Sequence, residues 1–212
     1  MREDRARKLA AARLYAITPS VEPAAVQALV GAWLRGGVDL IQLRHKRLRR
    51  DILLELARSL ASRCAEAQVL FLVNDQVDIA LLCGADGVHV GEEDLSLPAT
   101  RRLVGSELVV GASAGASRTV AAAEAEGADY VGCGPAFPTA EKPLKPVLGP
   151  AAIARISSET QLPVFAVGGI TLDRLGELKA LGLRRVSVIA GLSQAAESEQ
   201  AARAFREALA DG

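Results

Sequence analysis

The chain has 212 residues, of which 50% are hydrophobic, 3% are aromatic and 24% are charged. This length suits one well-buried domain better than two. We therefore predict a single domain over residues 1–212, in which residues 1–13 form an N-terminal extension. The formal net charge is zero, so no global electrostatic field favours nucleic acid or an anionic membrane as a partner.

The sequence also indicates the compartment in which the protein works. Its three cysteines, Cys64, Cys83 and Cys133, are an odd number without metal-ligand spacing, which favours reduced thiols. The charged N-terminus lacks the apolar segment of a signal peptide. No apolar run in the sequence approaches the ~20 residues that span a bilayer. We therefore predict a cytoplasmic location.

Apolar runs alternate with segments of helical periodicity along the chain. In chain order, the predicted strand and helix pairs are 14–17 with 24–34, 38–43 with 51–67, 70–73 with 77–83, 87–90 with 98–104, 108–112 with 117–126, 130–133 with 150–158, 164–167 with 172–181, and 185–189 with 197–209. Asp51 is a predicted N-cap, and the N-terminal extension is predicted to be an exposed helix.

This regular alternation predicts an α/β fold, a single (β/α)₈ TIM barrel with an extra N-terminal helical segment. A doubly wound open sheet is the main alternative. Polar residues follow many different strands of this sequence, whereas an open sheet concentrates its ligands at one crossover. The barrel is therefore the favoured prediction.

Two neighbouring strands of the predicted barrel end in polar side chains. Asn74 and Asp75 follow the third strand, and Asp94 lies just beyond the fourth. Consecutive parallel strands of one sheet deliver these side chains to the same edge. We therefore predict that Asp75 and Asp94 hold Mg²⁺, which proteins usually bind with one or two carboxylates plus substrate phosphates. The alternative is that each aspartate caps the helix that follows it.

A pair of cations follows the second strand. Side chains alternate along residues 42–46, so Gln42, Arg44 and Lys46 point together towards the barrel mouth. An arginine can bind phosphate oxygens through two donors, and a lysine acts as a mobile point charge. This pattern predicts a phosphate site, with a solvated basic loop as the alternative.

Glycines after the last two strands indicate a second anion site. Gly168 and Gly169 follow the seventh strand, and Ala190 and Gly191 follow Ile189 at the end of the eighth. Barrels frequently bind phosphate in these two loops through backbone N–H groups, although an ordinary glycine turn has the same composition. Two anion sites at one mouth suggest two phosphorylated substrates.

Further polar residues lie at the predicted mouth. Thr139 and Lys142 belong to the longest loop, residues 134–143, and long loops in compact domains are usually functional. Ser113 follows the fifth strand without a candidate base in the pattern, which favours a polar pocket role over a hydrolytic triad. His89 lies within an apolar strand and is predicted to be a core histidine.

Seven short motifs, taken in order, resemble the thiamine-phosphate synthase family. They are LYAIT at 14–18, IQLRHK at 41–46, VND at 73–75, GVHVGEEDL at 87–95, GADYVG at 127–132, GPAFPT at 134–139 and VGGI at 167–170. Each motif alone is weak, but the ordered set is specific to this family and its thiazole tautomerase relatives.

The resemblance implies an enzyme, a transferase that joins a pyrimidinylmethyl diphosphate to a thiazole phosphate and forms thiamine phosphate and pyrophosphate. The residues implied for pyrophosphate are Arg44, Lys46, Asn74 and Lys142, and those implied for Mg²⁺ are Asp75 and Asp94. Gln42 and Ser113 would contact the pyrimidine, while Gly169 and the loop after Ile189 would bind the thiazole phosphate. The predicted catalytic residues are Arg44, Lys46, Lys142 and Ser113. Thr139, Gly168 and Ala190 complete the predicted substrate-binding set.

Three positions depart from the pattern that the resemblance implies. Glu141 stands where the family usually has a threonine, Ala190 replaces a serine, and Gly115 replaces a histidine that resembles the tautomerase's catalytic group. The first two bear on synthase efficiency, and the third speaks against a tautomerase. The alternatives to a synthase are a tautomerase-like relative and a non-catalytic barrel that binds thiazole or thiamine phosphate. The sequence leaves a homo-oligomer open.

Overall fold

Eight parallel strands close into a barrel in the computed structural model, which describes residues 2–115, 119–140 and 146–210. The strands are β1 (Leu14–Ile17), β2 (Leu40–Leu43), β3 (Leu70–Asn74), β4 (Gly87–Val90), β5 (Val109–Ala114), β6 (Tyr130–Cys133), β7 (Val164–Val167) and β8 (Val186–Val188). Each strand pairs with the next one along the chain, and β8 pairs with β1. This closure confirms the predicted (β/α)₈ barrel and excludes the open sheet.

Helices precede, connect and follow these strands within the described ranges. They are α1 (Arg2–Ala11), α2 (Pro23–Arg35), α3 (Arg50–Glu66), α4 (Val77–Cys83), α5 (Leu97–Val104), α6 (Val120–Ala125), α7 (Pro150–Ser158), α8 (Leu175–Ala180), α9 (Ala190–Ser193) and α10 (Ser198–Ala210). The helix predicted over 172–181 is divided, because a 3₁₀ turn, Leu172–Arg174, precedes α8. The N-cap of α3 is Arg49, so the prediction for Asp51 is wrong. Asp51 instead lies in the first turn, where its charge suits the helix dipole.

Side chains along each strand alternate between two hydrophobic clusters, as the two-residue period of a strand requires. Tyr15 and Phe165 point into the barrel, whereas Phe71 packs between the sheet and the helices. Leu40 belongs to the inner cluster, so Gln42, two residues further along β2, shares that inner face. Polar residues near the carboxyl ends of the strands therefore face the barrel interior.

The N-terminal helix α1 packs beneath the amino ends of the strands. Leu9 is buried in the inner cluster, and Arg5 forms an ion pair of 2.8 Å with Asp86, just before β4. Lys8 donates a hydrogen bond of 3.1 Å to Gln68, just before β3. The expectation of an exposed helix is therefore wrong for this face of α1. Across the described ranges, none of the helices combines the length and apolar character needed to cross a membrane.

Candidate active site

A cavity of about 540 Å³ opens at the carboxyl ends of the strands, and its volume is within the range of small-molecule sites. The structure brings together here every predicted site residue that it describes. They are Gln42, Arg44, Lys46, Asn74, Asp75, Asp94, Ser113, Thr139, Gly168, Gly169, Ile189 and Ala190. Lys142 and Glu141 lie outside the described residues. Convergence of many strand ends on one mouth is the arrangement that a barrel provides.

The cationic side of the cavity is held in place by Thr18, a fully buried residue just after β1. Its hydroxyl oxygen accepts a hydrogen bond of 2.9 Å from the Arg44 amide. Its own amide donates to the Gln42 carbonyl oxygen at 2.9 Å. These bonds extend the pairing of β1 with β2, and they fix the direction in which Arg44 and Lys46 leave the sheet.

Asp75 and Asp94 lie close enough for their carboxyl groups to share a hydrogen bond. Asp75 has a left-handed backbone with φ of 62°, a conformation in which aspartate and asparagine are enriched. Its amide donates to the His89 carbonyl oxygen at 2.8 Å, and the Asp94 carboxylate accepts a 2.8 Å bond from the Gly91 amide. The backbone thus holds two acidic groups together despite their repulsion.

The surroundings of Asp75 raise the pKa of its carboxyl from 3.8 to about 6. Burial is the largest cause because it disfavours the charged form, and the hydrogen bond and charge of Asp94 act in the same direction. The charges of Lys46 and Arg44 lower the same pKa. The two carboxyl groups and the two cations therefore form one charged region of the cavity wall.

The glycine loop after β7 is tightly packed. Gly168 and Gly169 have φ of 98° and 64°, which glycine adopts without steric cost. A Cβ at Gly169 would lie 2.5 Å from the Pro138 carbonyl oxygen and 2.8 Å from Phe137 Cβ. Arg174 donates to the Gly169 carbonyl oxygen at 2.6 Å, and its guanidinium lies 4.7 Å from the centre of the Phe137 ring. These contacts hold the loop backbone in one conformation at the cavity edge.

Comparison with known proteins identifies the family. A family model described as thiamine monophosphate synthase matches residues 14–192. The chain belongs to the thiamine monophosphate synthase family. Thiamine-phosphate synthase from Prochlorococcus marinus (strain MIT 9313) is 41% identical over 180 residues, which cover 85% of this chain and 51% of that protein. The family member from Chlorobium luteolum is 42% identical over 174 residues, covering 81% of this chain and 82% of that protein. The chain therefore spans about half of the first relative and most of the second.

Solved structures agree with this assignment. Thiamine phosphate pyrophosphorylase from Pyrococcus furiosus matches with a TM-score of 0.83 at 31% identity, over 97% of each chain. A 3-hexulose-6-phosphate synthase matches with a TM-score of 0.73 at 18% identity, over 92% of this chain and 99% of that one, which shows a shared fold alone. The comparisons confirm the family resemblance seen in the motifs, and the roles of individual site residues stay predictions.

One part of this family member's site was missed by the sequence prediction. Ser113 lies within β5 rather than after it, and its Oγ is 3.1 Å from His89 Nε2. The expectation that Ser113 lacks a basic neighbour is therefore wrong. His89 Nδ1 is 3.0 Å from the Tyr130 hydroxyl oxygen. Since a tyrosine occupies the place that a carboxylate has in a hydrolytic triad, the arrangement does not match that triad.

The register of the barrel explains why these groups meet. His89 pairs with Gly111 on β5, and Ser113 lies two residues further along the same strand. Both side chains therefore lie on the face of their strand that points into the barrel. The contact between His89 and Ser113 could not be predicted from the sequence, because strands of a parallel barrel are buried on both faces. An apolar run therefore does not reveal which of its residues face inward.

Proposed function

We propose that the protein is a thiamine-phosphate synthase. It would couple 4-amino-2-methyl-5-(diphosphooxymethyl)pyrimidine with 4-methyl-5-(2-phosphooxyethyl)thiazole. The bond between the methylene carbon and the diphosphate oxygen breaks, and its electron pair leaves with pyrophosphate. The thiazole nitrogen then donates its lone pair to that carbon, which gives thiamine phosphate. The observation that carries the proposal is a cavity with candidate anion-binding groups on two sides.

The strand order supports two separate anion sites. In the closed order of the barrel, β3 and β7 are four positions apart in both directions, so they lie opposite each other. Asn74 and Asp75 are at the end of β3, beside the Arg44 and Lys46 side, whereas Gly169 follows β7. A diphosphate on the cationic side and a single phosphate at the glycine loop would place the two reacting rings between them. Holding both rings in one cavity supplies the proximity that bond formation needs.

The residues on the cationic side act on the leaving group. Negative charge grows on the diphosphate oxygen as the bond to carbon breaks, and Arg44 and Lys46 would stabilise that charge. The Asn74 side-chain amide adds an uncharged donor next to them. Gln42 and Ser113 would hold the pyrimidine, and the Gly168 and Gly169 backbone the thiazole phosphate. No general base is required, because the thiazole nitrogen attacks with a lone pair and no proton leaves.

The carboxylate pair fits a magnesium site. Within the described ranges, no group of three or more His, Cys, Asp or Glu side chains could enclose a metal. Asp75 and Asp94 would therefore contribute two oxygen-bearing groups, and phosphate or water the others, which is the usual mode for Mg²⁺. When bound, this ion would supply positive charge that neutralises the departing diphosphate. Mg²⁺ would also relieve the repulsion between the two carboxylates.

Incubation with both phosphorylated substrates and Mg²⁺ tests the proposed function directly. Thiamine phosphate and pyrophosphate should form in equal amounts, and EDTA should stop the reaction. Turnover of the thiazole tautomer without the pyrimidine would instead identify a tautomerase. Tight binding of thiamine phosphate without turnover would identify a binding protein. Product formation that EDTA leaves unchanged would contradict the metal role.

The affinity for Mg²⁺ is expected to decrease as the pH is lowered. The pKa of Asp75 is raised to about 6 in the metal-free protein, so protons compete with the metal below that pH. Binding one ion in place of one proton predicts about a tenfold loss of affinity per pH unit below about 6, with little change above about 7. Calorimetric titration of Mg²⁺ between pH 5 and 8 measures this slope. A flat profile across that range would exclude Asp75 as a ligand.

The partners that we propose are therefore small phosphorylated pyrimidine and thiazole molecules. Nucleic acid and membrane surfaces are not proposed, since the zero net charge gives no general attraction to polyanions. The cytoplasmic location stays a prediction from the sequence, and a homo-oligomeric state stays open.

A further inference from the structure

A chain of hydrogen bonds runs beneath the cavity and joins Gln42 to Ser113. The Gln42 side-chain amide donates to the Tyr15 hydroxyl oxygen, and that oxygen is 2.8 Å from the Tyr130 hydroxyl oxygen. The Tyr130 oxygen is 3.0 Å from His89 Nδ1, and His89 Nε2 is 3.1 Å from Ser113 Oγ. Residues from five different strands thus form this chain in the barrel interior, and all of them except Tyr130 line the cavity.

The inner members of this chain are enclosed. Tyr15 and Tyr130 are 1% and 0% exposed, and burial raises the pKa of both hydroxyl groups above 10.0. Each tyrosine therefore keeps one proton to donate. Gly111 leaves the space that the Tyr130 ring occupies, because a Cβ there would collide with the ring.

One proton per hydroxyl gives the chain a direction. If the Gln42 amide nitrogen donates to the Tyr15 oxygen, the Tyr15 proton goes to Tyr130. The Tyr130 oxygen would then accept that bond and donate its proton to His89 Nδ1. His89 would carry its proton on Nε2 and donate it to Ser113 Oγ. Since buried polar groups rarely leave a donor or acceptor unpaired, each step determines the next.

We propose that Tyr15, Tyr130 and His89 are positioning residues whose ordered hydrogen bonds fix Ser113 as a donor, and Gln42 as an acceptor, towards the ligand in the cavity. The Ser113 hydroxyl oxygen accepts a hydrogen bond from His89, so the Ser113 hydroxyl proton is directed away from the imidazole ring of His89. The Gln42 nitrogen faces Tyr15, so its carbonyl oxygen is the group left for the cavity.

This donor and acceptor pair selects a class of ligand. A heteroaromatic ring with an amino group next to a ring nitrogen offers one donor and one acceptor, which complement Gln42 and Ser113. A 4-oxo ring offers an acceptor and an N–H donor in the same places, so it would oppose both groups. The inference rests on the proposed function for the identity of the ring, but the proton order itself does not depend on it.

Nitrogen NMR tests the proton order without any substrate. The chain has two histidines, His45 and His89, so two sets of ring resonances are expected and a His45→Gln variant assigns them. His45 serves as an internal reference, because its Nδ1 is 3.1 Å from the Leu48 amide and its Nε2 is 2.9 Å from the Val21 carbonyl oxygen, which requires a proton on Nε2. His89 should show the same form, with the proton on Nε2 and a hydrogen-bonded Nδ1. A proton on Nδ1 of His89 would overturn the proposal.

Two tyrosine variants test the consequence for recognition. Tyr130→Phe and Tyr15→Phe each remove one link of the hydrogen-bond chain. The donor role of Ser113 and the acceptor role of Gln42 are then no longer coupled. Calorimetry with the pyrimidine diphosphate and its 4-oxo analogue should show that preference for the amino compound falls about tenfold in each variant. In Tyr130→Phe, the Nδ1 resonance of His89 should also shift, because the hydrogen bond with the tyrosine hydroxyl is lost.

Phe165→Leu is the matched control, because Phe165 packs edge-on against both tyrosine rings and has no polar atom. It should lower thermal stability and leave the preference and the His89 resonances unchanged. An unchanged preference in both tyrosine variants would reduce the chain to a structural role and overturn the proposal. If neither pyrimidine binds the parent protein, the proposed function fails, while the nitrogen spectrum still decides the proton order.

Discussion

Replacing Asp75 with asparagine is expected to lower kcat/KM for thiamine phosphate formation by about 100- to 1,000-fold. The substitution removes the fixed negative charge that is proposed to hold Mg²⁺ beside the departing diphosphate. The backbone should tolerate the change. Asp75 has a φ of 62°, and asparagine adopts this left-handed conformation at least as readily as aspartate does. The measurement is steady-state formation of product at saturating Mg²⁺.

The same substitution should not weaken the fold. It removes an acidic group whose charged form is disfavoured by burial and by the neighbouring Asp94, so the metal-free variant should unfold at the same or a higher temperature than the parent. Loss of activity without loss of stability is expected at a functional site in which the fold tolerates repulsion between two carboxylates. A large drop in thermal stability would instead indicate that Asp75 is structural.

Asp78→Asn is a suitable control, since Asp78 lies three residues further along the chain and pairs with Arg50 at the surface. It does not line the cavity, and exposed ion pairs contribute little to stability. Its kcat/KM should stay within about twofold of the parent, because surface changes remote from a site have small effects. Equal losses in both variants would contradict a specific role for Asp75.

The fold could be predicted from local signals that the tertiary structure did not override. The strand over residues 70–73 is apolar throughout, and Gly84 ends α4 with φ of 71°, as a glycine after a helix commonly does. Repeating this unit about eight times leaves few architectures other than the barrel. The four residues of α9 were not predicted, because so short a segment carries no periodicity.

The acidic residues of the site were predictable because they follow strands, whereas His89 and Tyr130 lie within strands and were not linked to the site. Asp75 and Asp94 stand beyond apolar runs, so their position at the mouth follows from the strand ends alone. His89 and Tyr130 lie inside such runs, and their partners are set by the register between strands distant in sequence. Register is a tertiary property, so no single segment of the sequence contains it.

Replacing Gly169 with alanine is expected to lower the free energy of unfolding by about 2–5 kcal/mol. Part of this cost comes from a left-handed residue with a side chain, about 1–2 kcal/mol, and part from overpacking, about 1–3 kcal/mol. The new Cβ would lie 2.5 Å from the Pro138 carbonyl oxygen, and backbone on both sides cannot move without shifting the loop. Denaturant unfolding measures the change.

Gly182→Ala is a control that separates the cost of the left-handed backbone conformation from the cost of overpacking. Gly182 has φ of 79°, close to the value at Gly169, but a Cβ there would meet nothing within 4 Å. Its substitution should therefore cost only the backbone contribution of about 1–2 kcal/mol. The difference between the two variants then reports the close approach of the Gly169 loop to residues 137–138.

The functional consequence of Gly169→Ala should be confined to one substrate. Displacing the loop would move the backbone N–H groups proposed for the thiazole phosphate, so the Kd of that substrate should rise by about tenfold or more, as expected when a hydrogen bond to a charged group is lost. The Kd of the pyrimidine diphosphate should change little, because the diphosphate ligands proposed at β2 and β3, Arg44, Lys46 and Asn74, lie on the other side of the barrel. Calorimetry on each substrate, at a temperature where the variant is folded, distinguishes the two. A parallel loss of both affinities would mean that the glycine loop supports the whole mouth rather than a separate phosphate site, and the two-site arrangement would have to be abandoned.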